Sequence, residues 1–202
     1  MSVRCVIVGA GDYSPGDLPR RAEGDLVIAA DAGYSHIVRE GEKPDVFIGD
    51  CDSLGGAPAG IDSVILPRRK DDTDTVAAVK YALERGYTDF LLLGCTGGKR
   101  MSHTLANLQT LAFIKSNGAN GKIKCGGTEA VFVTAGEEYF IGGECEFFSV
   151  FASGTAKVNV TGALFDATEA VITSSFPIGV SNEPSGKACV EVLSGSVYII
   201  TE

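Results

Sequence analysis

The feature that most constrains this chain is a change of rhythm near its middle. Through roughly residue 120, short apolar runs alternate with helix-like segments. The runs are Arg4 to Val8, Asp25 to Ala30, Val46 to Ile48, Ser63 to Leu66 and Phe90 to Leu93. They lack a polar/apolar alternation, as strands covered on both faces do. Thr73 to Arg85 carries Val76, Val79 and Leu83 at helical steps, and Gly86 stops it. Ser102 is placed to cap a second helix holding Leu105, Leu108 and Ala112, which ends near Asn117 and Gly118. Strand and helix in alternation predict a mostly parallel, Rossmann-like α/β sheet. After Gly121 the helical spacing disappears. Val131 to Val133, Tyr139 to Ile141, Cys145 to Phe151, Ala156 to Val160, Ala170 to Thr173, Ala188 to Leu193 and Val197 to Thr201 are short runs separated by Gly, Ser, Asn or Pro. That pattern predicts an all-β sandwich or barrel. The expected division is therefore α/β + all-β, with domains 1–120 and 121–202 and a boundary within 115–128.

Bulk composition narrows the function classes. With 45% apolar and 21% charged residues, the 202-residue chain has the balance of a globular protein rather than a disordered one. A net charge of −9 makes it a poor general binder of nucleic acid or anionic membranes. No apolar stretch is long enough to span a bilayer. The start, MSVRCVIVGAGDYS, reads as a first buried strand rather than a signal peptide. The six cysteines are dispersed without a C-x-x-C pair, so zinc knuckles and thioredoxin-type chemistry are not indicated. Reduced thiols without an export signal predict a cytoplasmic protein.

The acids cluster where ligands gather in parallel sheets, at the carboxyl ends of strands. Asp31 follows the second run, and Asp50 and Asp52 follow the third, in Gly49-Asp50-Cys51-Asp52-Ser53. In an extended backbone residues two apart point the same way, so Asp50 and Asp52 can present two carboxylates to one hard cation such as Mg2+. The competing reading is a loop whose aspartates make local turns. A second cluster, Lys70-Asp71-Asp72-Thr73-Asp74, opens a helix. Acids there favour the macrodipole and Thr or Asp caps the backbone, while Lys70 and Thr73 are placed to touch phosphate oxygens. A third, Gly94 to His103, joins glycines, Lys99 and Arg100 to a helix N-terminus, which suits phosphate but lacks the P-loop order. His103 is either a base or a structural hydrogen bonder. Gly9-Ala10-Gly11 is not a dinucleotide fingerprint, because Ser14 stands where a third glycine belongs. His36 is assigned no role.

In order along the chain come Asp31-Ala32-Gly33, Gly49-Asp50-Cys51-Asp52-Ser53, Lys70-Asp71-x-Thr73-Asp74, the Gly-Gly loop ending His103-Thr104-Leu105-Ala106-Asn107, and Ser181-Asn182-Glu183. Together they resemble the thiamine pyrophosphokinase family over nearly the whole chain. The resemblance implies an α/β domain followed by a β-sandwich, and transfer of the diphosphate of ATP to the thiamine hydroxyl. It implies Asp50, Asp52 and Asp74 as Mg2+ ligands, and Asp31 and Asp71 as further site acids. Lys70, Thr73 and Arg100 would meet phosphates, with Ser102 and His103 beside the nucleotide, and Ser181 and Asn182 would hold thiamine. It also implies a homodimer whose active sites are shared between chains. The loop departs from the family's G-G-R-x-D-H: Ser102 replaces the aspartate and one extra residue, Lys99 or a neighbour, precedes Arg100. Ala32 replaces a glycine, and the chain has no Trp to stack on thiamine. Two other readings stand beside this one: a pyrophosphokinase for another heterocyclic alcohol, such as a hydroxymethylpterin, and a nucleotide- or thiamine-binding sensor without turnover.

Overall fold

A computed structural model of the chain describes residues 3–51, 55–67, 69, 71–142 and 144–202. It divides into two compact units, residues 1–126 and 127–202.

The first unit is built on parallel strands: β1 (Arg4–Val8), β2 (Leu26–Ala30), β3 (Val46–Gly49), β4 (Asp62–Ile65), β5 (Asp89–Leu93) and β6 (Asn120–Cys125). Their order is β4-β3-β2-β1-β5-β6, and every pairing among them is parallel. Strand β1 is central, with Val8 paired to Ala29 on one side and to Leu93 on the other. The chain therefore works outward from β1 to β4, then returns to place β5 on β1's free side. That return makes a topological switch point between β1 and β5, where open α/β sheets bind ligands. Cys5 to Val8, Val27 to Ala30 and Val46 to Ile48 are buried, as expected of runs without polar alternation. Edge strand β4 is mostly exposed. A first half ending at residue 120, as expected from the sequence, leaves out the sixth strand, β6. β6 pairs with β5 through Phe90↔Gly121 and Leu92↔Ile123, and its mixed sequence, NGKIKC, hides a strand in which only Ile123 is fully buried.

Three helices connect these strands: α1 (Gly33–Arg39), α2 (Asp74–Leu83) and α3 (Met101–Ser116). Helix α2 buries Thr75, Ala78, Val79 and Ala82. The predicted apolar stripe of α3 is corrected by the structure. Leu105 is 59% exposed, and the buried face runs Asn107, Thr110, Leu111, Ile114. Hydropathy misjudged that face because two of its members are polar with internal partners. Asn107 Nδ2 donates to the Cys95 carbonyl at 2.8 Å, and Thr110 Oγ1 to the Ala106 carbonyl at 2.9 Å.

The second unit holds β7 (Thr128–Thr134), β8 (Glu138–Ile141), β9 (Phe148–Ala152), β10 (Thr155–Ala163), β11 (Ala167–Thr173), β12 (Pro184–Ser194) and β13 (Ser196–Thr201). The pairings among these strands are antiparallel, in the orders β7-β13-β9 and β11-β10-β12-β8. Alternate residues point inward, as period two requires: Val197 and Ile199 on β13, and Ala188, Val190 and Val192 on β12. These join Phe148, Val150 and Val158 in one apolar cluster drawn from both sets of strands. Each fully buried Val, Ile or Phe contributes about 1.5–3 kcal/mol. Among the described residues no helix is long and apolar enough to cross a membrane, and the six cysteines are unpaired.

Candidate active site

The carboxyl ends of the first unit's strands open into a cleft of about 790 Å³. Its floor is fixed by backbone hydrogen bonds between the turns after β1 and β5. Gly9 N–H donates to the Leu93 carbonyl and Gly11 N–H to the Gly94 carbonyl, both at 2.7 Å. The Gly9–Gly11 turn thus lines the cleft although it is no dinucleotide fingerprint. Behind it His36 on α1 bonds through Nε2 to the Gly11 carbonyl at 3.1 Å, and its ring stacks on Tyr13 at 4.8 Å between centroids. Burial holds this imidazole below its ordinary pKa, with Arg39 pushing the same way. Its role is to brace the turn.

Asp31 stands on the cleft wall where β2 ends. Its φ of 50° turns the chain sharply, and its N–H donates to the Ile48 carbonyl at 3.0 Å. Two residues on, Gly33 begins α1 so close to β1 that a Cβ there would lie 1.9 Å from the Val8 carbonyl oxygen. Only glycine permits that approach. Asp50 lines the cleft one residue past β3. The extended geometry expected between Asp50 and Asp52 does not hold, because Cys51 between them takes a φ of 63°. Asp52 itself lies outside the described residues, as does Lys70.

The start of α2 forms another wall with Asp72, Thr73 and Asp74. Thr73 caps the helix, its Oγ1 accepting from Val76 N–H at 3.2 Å. Asp72 is ion-paired with Lys80 at 2.6 Å. Asp71 is exposed and is not among the residues lining the cleft, whereas Asp72, to which the sequence reading gave no role, is.

The loop after β5 supplies Thr96, Gly97, Gly98, Lys99 and Arg100, followed by His103. Helix α3 begins at Met101 with Arg100 as its N-cap, and Arg100 makes no side-chain capping bond. Ser102 is therefore the second residue inside the helix and does not cap it; it is exposed and absent from the cleft lining. An N-terminus without a side-chain cap, flanked by Lys99 and Arg100, is suited to an anion. Cys95 also faces the cleft, but burial pushes its thiol up to about 12, so it is no thiolate nucleophile at neutral pH.

The donor set fits a hard cation. Asp31, Asp50 and Asp74 bring carboxylates to one cleft, while no His/Cys/Asp/Glu group of three or more forms a protein metal cage among the described residues. Magnesium is ordinarily held by one or two carboxylates together with substrate phosphates and water.

Ser181 and Asn182 belong to the second unit. Ser181 has a φ of 55° and donates its N–H to Ser149 Oγ at 3.0 Å. Asn182 braces the loop around Phe165: its Oδ1 accepts from Phe165 N–H at 3.0 Å, and its Nδ2 donates to the Phe165 carbonyl at 2.8 Å.

Comparison with known proteins gives these geometries a context. Residues 21–123, just over half of the chain, match the family described as thiamin pyrophosphokinase, catalytic domain. Among curated proteins none matches significantly. The thiamine pyrophosphokinase of Bacillus subtilis is similar in structure with a TM-score of 0.87 at 23% identity, covering 98% of each chain. That of Geobacillus thermodenitrificans gives 0.80 at 23% identity over 99% of this chain and 97% of its own. The Candida albicans enzyme gives 0.81 at 13% identity over 100% of this chain and 89% of its own. At such identities the structures speak for the fold, and the family match carries the assignment: the chain belongs to the thiamin pyrophosphokinase family.

Proposed function

We propose that this chain transfers the diphosphate of ATP to the hydroxyl of thiamine, giving thiamine diphosphate and AMP. The observation that carries the reading is the cleft at the β1/β5 switch point, where Asp31, Asp50, Thr73 and Asp74 face a glycine loop with Lys99 and Arg100. Neither the pterin pyrophosphokinase nor the silent sensor gains support from the family match or the similar structures.

In the proposed reaction the thiamine hydroxyl oxygen attacks the β-phosphorus. A new O–P bond forms, the bond between Pβ and the oxygen bridging to Pα breaks, and AMP leaves with that oxygen. Lys99, Arg100 and the α3 N-terminus orient and neutralise the phosphates, with Thr73 and, from the sequence, Lys70 alongside. His103, on the cleft wall, adds a hydrogen-bonding group. A carboxylate of the 71–74 segment accepts the hydroxyl proton; the sequence points to Asp71, whereas Asp72 and Asp74 are the acids of that segment on the cleft wall. Asp50, Asp74 and, from the sequence, Asp52 would hold Mg2+, which when bound spreads the charge of the transferring diphosphate. Most of the rate then comes from alignment.

Thiamine is assigned to Ser181 and Asn182, in the second unit, which we read as a β-sandwich, the first unit being Rossmann-like. We further propose a homodimer with shared sites, since symmetric pairing is the commonest oligomer. Leu164, Phe165, Phe176, Ile178 and Val180, in the loops beside Asn182, are exposed apolar side chains that such pairing can cover. Unpaired cysteines suit a cytoplasmic location. The decisive assay is incubation with ATP, Mg2+ and thiamine, followed by mass spectrometry. Thiamine diphosphate and AMP should appear in equal amounts; ADP with thiamine monophosphate would refute attack at the β-phosphorus. Sedimentation gives the oligomeric state. Mixing Asp74→Asn with Asn182→Ala subunits restores activity only where two chains share a site.

A further inference from the structure

We propose that Asp12 is a positioning residue that holds the 96–98 glycine loop in its phosphate-binding shape. Nothing in the motif pattern pointed to it. Asp12 lies just past β1, on the cleft wall, 86 residues from the loop it contacts. Its Oδ1 accepts the Gly98 N–H at 3.1 Å, and its own N–H donates to the Thr96 carbonyl at 2.8 Å. The loop is thereby tied at two points to a turn that is itself bonded to Gly94. On the other side Thr104 Oγ1, from α3, reaches the Gly97 carbonyl at 3.3 Å.

Backbone conformation calls for glycine in the loop, and at Gly97 the packing of the carboxylate adds to it. Gly97 and Gly98 have φ of 58° and 74°, the left-handed region that glycine enters without penalty. A Cβ on Gly97 would lie 1.9 Å from Asp12 Oδ2, so the carboxylate occupies the space a side chain would need. A Cβ on Gly98 would sit 3.4 Å from Gly11 Cα, in ordinary contact with the same turn. Asp12 is therefore packed into the loop as a strut. An acid beside a phosphate site is electrostatically unfavourable, and its use here is accounted for by a charge-assisted bond to a backbone N–H, among the stronger hydrogen bonds available.

The inference rests on reading the cleft as the ATP site, and the test separates the two. Hydrogen exchange of the 96–100 amides is measured in wild type, Asp12→Ala and Asp12→Asn, with and without ATP and Mg2+, and KM for ATP and kcat are measured beside it. In Asp12→Ala these amides should exchange faster, and KM for ATP should rise roughly tenfold, the factor expected for one charge-assisted hydrogen bond. The kcat should change far less. Asp12→Asn keeps an acceptor oxygen and should restore both readouts. If Asp12→Ala does not fold, Asp12→Ser, too short to reach Gly98, replaces it. Unchanged exchange, or faster exchange without a rise in KM, overturns the proposal. A fall in KM also overturns it, because the carboxylate would then be acting as a repulsive charge. If ATP fails to protect the wild-type loop at all, the ATP reading of the cleft fails and the proposal with it.

Discussion

Gly33→Ala sets two ordinary effects against each other. Alanine in place of glycine within a helix is worth up to about 1 kcal/mol in its favour. Gly33 opens α1, and its φ is not in the left-handed region, so local propensity alone predicts stabilisation. Tertiary packing predicts the reverse. The new Cβ would meet Val8 O at 1.9 Å, Val8 C at 2.5 Å and Gly9 O at 2.8 Å, all backbone atoms of the central strand and its turn. To restore even a tight contact, α1 must move by about 1 Å, against a helix whose Ile37 is fully buried. Overpacking of this kind costs about 1–3 kcal/mol, and the upper end applies where backbone must yield. Net of propensity, the loss is about 2 kcal/mol, or about 4–8 °C in Tm for a chain of this size. Activity should fall further than stability. Asp31 and the Gly9–Gly11 turn move with α1, and a misplacement of about 1 Å can cost about a hundredfold in rate. Urea denaturation and steady-state kinetics read the two effects. A variant as stable as wild type with unaltered turnover would refute the packing argument.

Asp50→Asn and Asp74→Asn keep size but remove charge, and each should lower turnover about a hundredfold with an unchanged circular dichroism spectrum, the scale for removing one transition-state stabiliser. Normal turnover in both would mean that these carboxylates only shape the strand end and helix start. Ser102→Ala should leave KM for ATP unchanged and shift stability by less than about 0.5 kcal/mol, because Ser102 is exposed inside α3 and caps nothing; a large loss of ATP affinity would show a ligand contact. His36 binds its proton less readily folded than unfolded, so its contribution is complete above about pH 6.5 and is lost as pH falls below that towards the folded pKa. The Tm advantage of wild type over His36→Asn should therefore shrink between about pH 7.5 and pH 5.5, and an advantage independent of pH would show that His36 does not titrate against folding.

How far the sequence could be read follows from what each signal measures. Strands β1, β2, β3 and β5 were legible because burial on both faces leaves an unbroken apolar run, as Val6, Ile7 and Val8 do on β1. β6 was not, since a strand with partly covered faces can carry Asn120, Lys122 and Lys124. Thr73 as the cap of α2 was visible because a cap acts within three residues. The start of α3 was misplaced because Arg100 closes it through backbone conformation, with an extended φ of −128°, and leaves no side-chain signature.

The site divides along the same line. Asp31, Asp50, Thr73, Asp74, Arg100 and His103, the candidates read from the sequence that line the cleft, were legible because strand ends and helix starts place residues at one edge of a parallel sheet whatever the tertiary detail. Asp12 and His36 drew no role because their partners, Gly98 and Gly11, are distant in sequence and are backbone atoms. A backbone carbonyl or N–H has no residue identity, so no motif can record such a bond. The candidate ligand residues fall into readable clusters, whereas residues that hold those clusters in shape bond to anonymous backbone. The consequence reaches beyond this cleft. Glycines whose Cβ would collide with another segment, such as Gly33 against Val8 and Gly97 against Asp12, are the trace that such hidden struts leave in a sequence.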